Sequence, residues 1–199
     1  MSSTSAPFGL RPAFHPSGLD RAQALANGIQ AVSTSGNVSA GYATTILKGQ
    51  PVKMDTGGYI VVAAAGDAFL GAFAGVEWTD STGRRRVSNY WPANESFQVG
   101  SVVAYFYSDP NIVYEIQTDA TMAQSAIGDE ADLSNTTDGS TTTGLSQCTL
   151  STTLVGAGNS AQMLIRDLAP YPDNAWGDSY TIVRVTINES QFNASVNAI

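Results

Sequence analysis

The chain has 199 residues, of which 43% are hydrophobic and only 13% charged, against a usual charged share of roughly 25%. Its net charge of −8 disfavours binding to nucleic acid or to an anionic membrane through a broad positive surface. Helix surfaces are normally rich in Lys, Glu, Arg and Gln, whereas this chain has two lysines and is rich in Thr, Val, Tyr and Gly. The composition therefore predicts an all-β protein.

The first part of the chain, residues 1–18, is a distinct segment that we call the arm. In the arm, Pro7, Pro12 and Pro16 alternate with apolar side chains. Each proline fixes its own φ and biases the residue before it toward extended backbone, which disfavours a regular helix. The arm is also more aromatic than is usual for a disordered tail. We expect an extended arm that docks either on its own domain or on a neighbouring subunit.

Residues 19–27 have the pattern of two helical turns, with Asp20 as a weak N-terminal cap. After them, one short strand follows another. Turn residues at 55–58 predict one hairpin, and those at 109–111 predict a second. The predicted strands are residues 29–33, 42–47, 50–54, 59–64, 69–79, 85–91, 99–107, 112–117, 147–152, 162–167 and 180–187.

Strands at this spacing, with turns between them, are typical of an antiparallel β-sandwich or barrel. Gly71 and Gly75, inside the longest apolar strand, indicate bulges or close backbone approaches. Residues 120–127 are expected to form at most a short helix, and residues 134–144 a surface loop. The predicted organisation is the arm at 1–18, a β-rich domain at 19–187 and a polar tail at 188–199.

The residues that catalysis or cofactor binding requires are scarce. The single histidine, His15, lies in the arm, which is a poor support for a nucleophile's base, and one histidine is too few for a histidine-based zinc site. The single cysteine, Cys148, excludes a disulfide within the chain and is read as a plain strand residue. No phosphate-binding glycine loop occurs. Residues 129–132 offer carboxylates for calcium, with solvated acids as the alternative. We expect no enzyme, cofactor or metal.

Two features suggest contact with a partner. Residues 84–86 are three consecutive arginines close to Trp78, Tyr90 and Trp91, and arginine with aromatics is enriched at interface anchors. A solvated turn is the alternative for the arginines. Trp176, in a proline-rich loop, is read either as a loop-anchoring core residue or as a sugar-stacking residue.

The start of the chain has neither the basic nor the apolar region of a secretory signal. No apolar run reaches the roughly 18 residues that a membrane helix needs. We therefore expect a protein that is made and kept in the cytoplasm and has no membrane partner.

Short motifs along the chain together resemble the head decoration (cement) proteins of tailed bacteriophages. Each motif is short and carries no chemistry, but together the motifs span most of the chain. They are APFGLRPAFHPSG at 6–18, QPVK at 50–53 before a Gly-Gly hairpin, LGAFAGV at 70–76 followed by Trp78, YWPA at 90–93 and PDNAWG at 172–177.

The resemblance implies a β-rich, non-enzymatic virion subunit, made in the host cytoplasm and bound to the capsid exterior. It implies many copies across joints between major capsid proteins, often as dimers or trimers at symmetry axes. On this basis the arm is expected to reach onto a neighbouring subunit, and the segment around the arginines to contact the capsid or another copy. The predicted contact residues are Phe8, Leu10, Arg11, Phe14, Trp78, Arg84, Arg85, Arg86, Tyr90 and Trp91.

Two other functions remain open from the sequence. One is a different virion part, such as a neck, tail or shell subunit, although the chain is short for a major shell protein and lacks a long predicted helix. The other is a glycan-binding β-module that uses Trp78, Trp91 or Trp176 as a stacking platform.

Overall fold

The computed structural model describes residues 2–18, 22–29, 31–33, 38–156 and 158–192. Almost all of its regular structure is β, which confirms the predicted fold class; the described helical structure is one 3₁₀ turn, Gln124–Ala126. The strands are β1 (Arg11–Phe14), β2 (Gln23–Ala26), β3 (Ala31–Ser33), β4 (Val38–Gly41), β5 (Pro51–Met54), β6 (Ile60–Val62), β7 (Gly71–Thr79), β8 (Arg85–Ser88), β9 (Ser96–Gln98), β10 (Val103–Tyr107), β11 (Val113–Gln117), β12 (Glu130–Ser134), β13 (Gly139–Ser140), β14 (Leu145–Ser146), β15 (Thr149–Leu154), β16 (Met163–Leu168) and β17 (Ile182–Ile187).

Two six-stranded sheets form the body of the protein. The first has the order β1-β11-β17-β16-β12-β15, and the second has the order β2-β10-β7-β5-β6, with β8 also paired to β7. A three-stranded sheet, β3-β4-β9, and a two-stranded ladder, β13-β14, complete the fold. All of these strand pairs are antiparallel, as expected for a packed antiparallel sandwich.

The apolar side chains form two core clusters. The first cluster lies under the first sheet and includes Tyr114 and Ile165, and the second includes Trp91 and Phe106. The segment at the start of β7 contributes side chains to both clusters. Phe69 and Ala72 belong to the first cluster, whereas Leu70 and Phe73 belong to the second. β7 therefore ties the two cores together.

The structure confirms that the glycines of β7 mark irregular backbone. Opposite β10, Gly75 faces Tyr105 while Phe73 faces Phe106, so Ala74 is the extra residue of a bulge. At Gly71, whose φ is +154°, a Cβ atom would lie 1.5 Å from the carbonyl oxygen of Tyr107.

The first predicted hairpin is confirmed, since β5 and β6 pair with Val52 opposite Val62. The second is wrong. β10 belongs to the second sheet and β11 to the first, so the turn at Asp109 carries the chain from one sheet to the other. A turn motif indicates only that the chain changes direction. Here β10 pairs with β7 and β11 pairs with β17, so each strand has a partner that is distant in the sequence.

The helix predicted over 19–27 is also wrong where it is described, because Gln23–Ala26 is strand β2, paired with β10. A helix this short is marginal by itself, and ladder hydrogen bonds to β10 outweigh its propensity. The predicted cap, Asp20, lies outside the described residues. The predicted strand at 42–47 is reduced to an isolated bridge between Ile46 and Trp91.

Towards the end of the chain, the short helix predicted at 120–127 is the 3₁₀ turn already given. The predicted loop at 134–144 contains β13, which pairs with β14. The described part of the tail packs on the domain, where Gln191 exchanges side-chain hydrogen bonds with the backbone of Met54 at 2.7 and 2.9 Å. Residues 193–199 lie outside the described part.

Candidate interface along the N-terminal arm

The arm lies on its own domain. Its strand β1 pairs with β11, which places Arg11 opposite Glu115 and Phe14 opposite Val113. Leu10 is only 1% exposed and belongs to the first core cluster, and its N–H donates to the carbonyl oxygen of Gly49 at 2.8 Å. The arm is thus an edge strand of the first sheet and part of the core.

Polar contacts hold the arm at several further points. The N–H of Ala6 donates to Oε1 of Gln117 at 2.8 Å, and Nε2 of Gln117 donates to the carbonyl oxygen of Thr4 at 3.1 Å. At the start of the arm, the buried hydroxyl of Ser2 bonds the carboxylate of Asp178 and donates to the carbonyl oxygen of Asp173 at 2.7 Å. These contacts fix the arm before any partner binds.

Arg11 is the centre of a charged and aromatic cluster. Its Nη2 lies 2.6 Å from Oε2 of Glu115, and its guanidinium stacks 4.5 Å from the ring centre of Phe8. Glu115 is buried and also accepts a hydrogen bond from the Tyr171 hydroxyl, while Arg184 lies 3.5 Å from its other oxygen. Burial by itself raises the pKa of Glu115, but Tyr171 and the two arginines outweigh burial and hold that pKa below its usual range.

An open groove of about 420 Å³, which we call the arm groove, runs beside this cluster. Its lining comes from the arm, from the loop around Lys48 and from strands β7, β10 and β14, which are far apart in the sequence. The side chain of Leu145 in β14 is 42% exposed, and that of Lys48 is exposed. The lining side chains are Phe8, Leu10, Arg11, Pro12, Lys48, Phe73, Tyr107 and Leu145.

The three arginines lie on an exposed hairpin formed by β7 and β8. Asp80 closes its turn by accepting hydrogen bonds from the Thr82 hydroxyl at 2.6 Å and the Arg84 N–H at 3.0 Å, which hold the pKa of Asp80 far below its usual range. Arg86 pairs with Asp80 at 2.8 Å, and Arg85 pairs with Glu77 at 2.5 Å. Most of the cluster's positive charge is therefore compensated within the chain.

Trp78 and Trp91 are buried, with exposures of 5% and 0%. Trp91 packs edge-to-face against Trp78 at 5.4 Å and against Phe97 at 5.6 Å, in the second core cluster. These two tryptophans, like Leu10, are core residues, and we remove all three from the predicted contact surface. Their burial also leaves Trp78 and Trp91 no free ring face on which a sugar could stack.

The remaining predicted residues keep some exposed surface. Phe14 is 44% exposed beneath the guanidinium of Arg184, 5.3 Å away, and the Arg11 side chain is 49% exposed. Phe8 and Tyr90 are half-buried. Arg84, Arg85 and Arg86 are all exposed. The half-buried Trp176 packs against the first core cluster, as expected for a loop-anchoring residue.

His15 anchors the far end of the arm. Its Nε2 lies 3.0 Å from Oδ2 of Asp109, and its Nδ1 accepts from the Ser17 N–H at 3.0 Å and lies 2.7 Å from the Ser17 hydroxyl. A serine, a histidine and a carboxylate are thus connected. The adjacent amides, however, are used locally, since the Ser17 N–H binds the ring and the Gly18 N–H binds the His15 carbonyl at 2.8 Å. The arrangement stabilises a turn, and neither of these two described N–H groups is free to donate to an oxyanion.

Two of the three acids proposed for calcium, Glu130 and Asp132, accept hydrogen bonds from the protein's own amides. Oε2 of Glu130 accepts from the Ala161 N–H at 2.9 Å, and Oδ1 of Asp132 accepts from the Gln162 N–H at 3.2 Å. Within the described ranges, no group of three or more His, Cys, Asp or Glu side chains is arranged to hold a metal.

Cys148 is fully buried, and burial raises the pKa of its thiol. The described part of the chain also contains no helix of the length and apolarity needed to cross a bilayer.

Sequence reasoning identified Phe8 and Arg11 of the arm groove as contact residues but missed Lys48, Tyr107 and Leu145. The rarity of lysine in this chain was the available signal for Lys48.

Comparisons of the chain with known protein families, with curated protein sequences and with solved structures each find no match.

Proposed function

We propose that this chain is a bacteriophage virion protein that binds the outer surface of the capsid and stabilises the shell by bridging major capsid proteins. The observation that carries the proposal is the arm groove. The segment with the longest likeness to phage decoration proteins, residues 6–18, borders this open and largely apolar groove. An exposed apolar groove rimmed by polar groups is typical of a protein interaction site.

The way the arm is held supports a binding role. Phe8 and Arg11 are fixed by the stacking between them and by the ion pair to Glu115, and Leu10 is fixed by burial. A surface that is ordered before binding loses little conformational entropy when a partner docks. A rigid clamp of this kind suits a protein whose task is contact.

The titratable groups also serve the fold. Glu115 holds the arm, Asp80 closes the hairpin and His15 ties the arm to Asp109. This use of titratable side chains favours a structural protein over an enzyme.

The proposed mechanism is linkage. A protein that binds the assembled shell but not its dissociated subunits shifts the equilibrium toward the shell. Many copies, as dimers or trimers on the capsid exterior, add avidity across the lattice. In this proposal the exposed hairpin, with Arg84 and the 75% exposed Val87, contacts the capsid or a second copy.

The test uses empty shells of the phage that encodes this chain, stripped of the protein and mixed again with it. We expect the protein to sediment with the shells and to raise the temperature at which they break, followed by light scattering. The control is serum albumin at the same concentration, which reports non-specific trapping. Protein that stays in the supernatant, together with an unchanged breaking temperature, would contradict the proposal.

A further inference from the structure

We infer that the arm groove binds a segment of the shell protein in which a carboxylate side chain adjoins apolar ones, and that Lys48 pairs with that carboxylate. This inference rests on the proposed function, because it states the chemistry of the partner at the same site. It follows from the charge, the fixed backbone and the apolar side chains of the groove's lining.

The charge of the groove is opposite to that of the molecule. The chain has 17 acidic residues and 9 lysines and arginines, yet the lining includes two cations, Arg11 and Lys48, and no carboxylate. Among the other described clefts, the one beside Tyr180 includes two aspartates, the one beside Phe14 includes one aspartate with two arginines, and the one beside Tyr59 includes no charged side chain. The groove is thus a local site for a negative group on an acidic protein.

Lys48 is the cation that a partner can use. Arg11 is already paired with Glu115, whereas Lys48 makes no ion pair with any residue that the structure describes. The other lysine, Lys53, pairs with Asp67 at 2.7 Å. Lys48 is therefore the lysine whose exposed charge is uncompensated within the described residues.

The backbone of Lys48 is fixed although its side chain is exposed. Its N–H donates to the carbonyl oxygen of Gly144 at 3.0 Å, and its carbonyl oxygen accepts from the Ser146 N–H at 3.0 Å. The residue thereby forms a parallel bridge with Leu145 of β14, which fixes the backbone from which the lysine side chain extends. A lysine on a fixed backbone loses less conformational entropy when it pairs with a carboxylate than a lysine on a mobile segment does.

The apolar part of the lining selects what accompanies the carboxylate. Phe8, Pro12, Tyr107 and the exposed Leu145 line the groove, whose volume of about 420 Å³ lies in the range of sites that enclose a small ligand. Pairing between a charged rim and an acidic partner speeds association and fixes register, while apolar contacts supply most of the affinity. The occupant is therefore a segment with both kinds of side chain.

The experiment compares the two lysines in the same chain. Free and shell-bound protein are treated with N-hydroxysuccinimidyl acetate, and fragment-ion mass spectrometry measures the acetylation of Lys48 and Lys53 separately. We expect shells to lower the acetylation of Lys48 several-fold and to leave that of Lys53 nearly unchanged. We also expect Lys48→Glu to weaken shell binding about tenfold, and the matched control Lys53→Gln to bind as the unmodified protein does.

Each other outcome has a distinct meaning. Shell binding with Lys48 as reactive as in free protein, and with normal binding by K48E, overturns the inference and leaves the proposed function intact. Protection of Lys48 that rises with protein concentration in the absence of shells identifies a second copy as the occupant, which also overturns it. An absence of shell binding by the unmodified protein overturns the proposed function, and the inference with it.

Discussion

At Gly71 the backbones of β7 and β10 approach so closely that no side chain fits. A methyl group added there would lie 1.5 Å from the carbonyl oxygen of Tyr107, and the φ of +154° is one that residues with a Cβ rarely adopt. Because β7 connects the two core clusters, a shift of this strand would disturb both.

We predict that Gly71→Ala lowers the free energy of unfolding by about 3 kcal/mol, measured by urea denaturation. The matched control is Gly66→Ala, where φ is +77° but no atom lies within 4 Å of the added carbon. The control carries only backbone strain, which costs about 1 kcal/mol. Equal losses for the two variants would show that the close approach is absent.

Glu115 makes the stability of the arm depend on pH. Burial disfavours its carboxylate, but Tyr171, Arg11 and Arg184 stabilise the carboxylate more, so the pKa of Glu115 lies below the ordinary value of 4.5. The unfolded chain therefore binds a proton more readily than the folded one, and the stabilisation is present above the unfolded-state pKa and lost as pH falls through the folded-state pKa.

We predict that Glu115→Gln is less stable than the unmodified protein at neutral pH and that the difference shrinks as the solution is acidified below the ordinary pKa of glutamate. Thermal unfolding followed by circular dichroism across the acidic range measures this difference. A stability difference that stays constant with pH would contradict the assigned ion pairs.

At the scale of elements, the arm behaves as a strand of the first sheet. β1 pairs with β11, and Leu10 fills a position in the first core cluster with 1% of its surface exposed. Deleting residues 1–18 would therefore remove a strand and a core side chain, so loss of capsid binding by that deletion could not be separated from damage to the fold.

We predict that Leu10→Ala lowers the free energy of unfolding by about 3 kcal/mol, because it removes a buried side chain from the first core cluster and leaves a cavity there. Leu145→Ala, at the 42% exposed wall of the same groove, is the matched control and is expected to change stability by less than about 0.5 kcal/mol. Chemical denaturation measures both variants. Similar values for the two leucines would mean that the arm is not docked as described.

The elements also show what sequence patterns can and cannot predict. The β5–β6 hairpin followed from its turn residues because both strands are adjacent in the chain. The same reasoning failed at Asp109, since no local pattern states that β11 pairs with β17 rather than β10. The local sequence largely determines whether a segment forms a strand. Contacts between distant segments determine which strands pair with each other.

The candidate site likewise combines residues that the local sequence predicts with residues that only the fold brings to it. Arg11 and Phe8 stood out within one short segment, but Lys48 and Leu145 join them only when segments that are far apart in the sequence fold together. Composition also cannot tell an interface anchor from a core residue. Trp78 and Trp91 lie in a segment whose composition is typical of a contact surface, but both side chains are buried in the core.

At the scale of the whole molecule, the net negative charge, the two apolar cores joined by β7 and the docked arm are the features on which the proposed contact role rests. The central claim, that this protein binds the outside of an assembled capsid, is a statement about position. The most direct test is to image where the protein lies on the capsid.

That measurement is electron cryomicroscopy of empty shells with and without the protein, compared as a difference map. The account predicts added density on the outer surface, repeated at joints between major capsid proteins, with the arm groove facing the shell. No added density, or density restricted to the shell interior or to a single neck-bearing vertex, would contradict it.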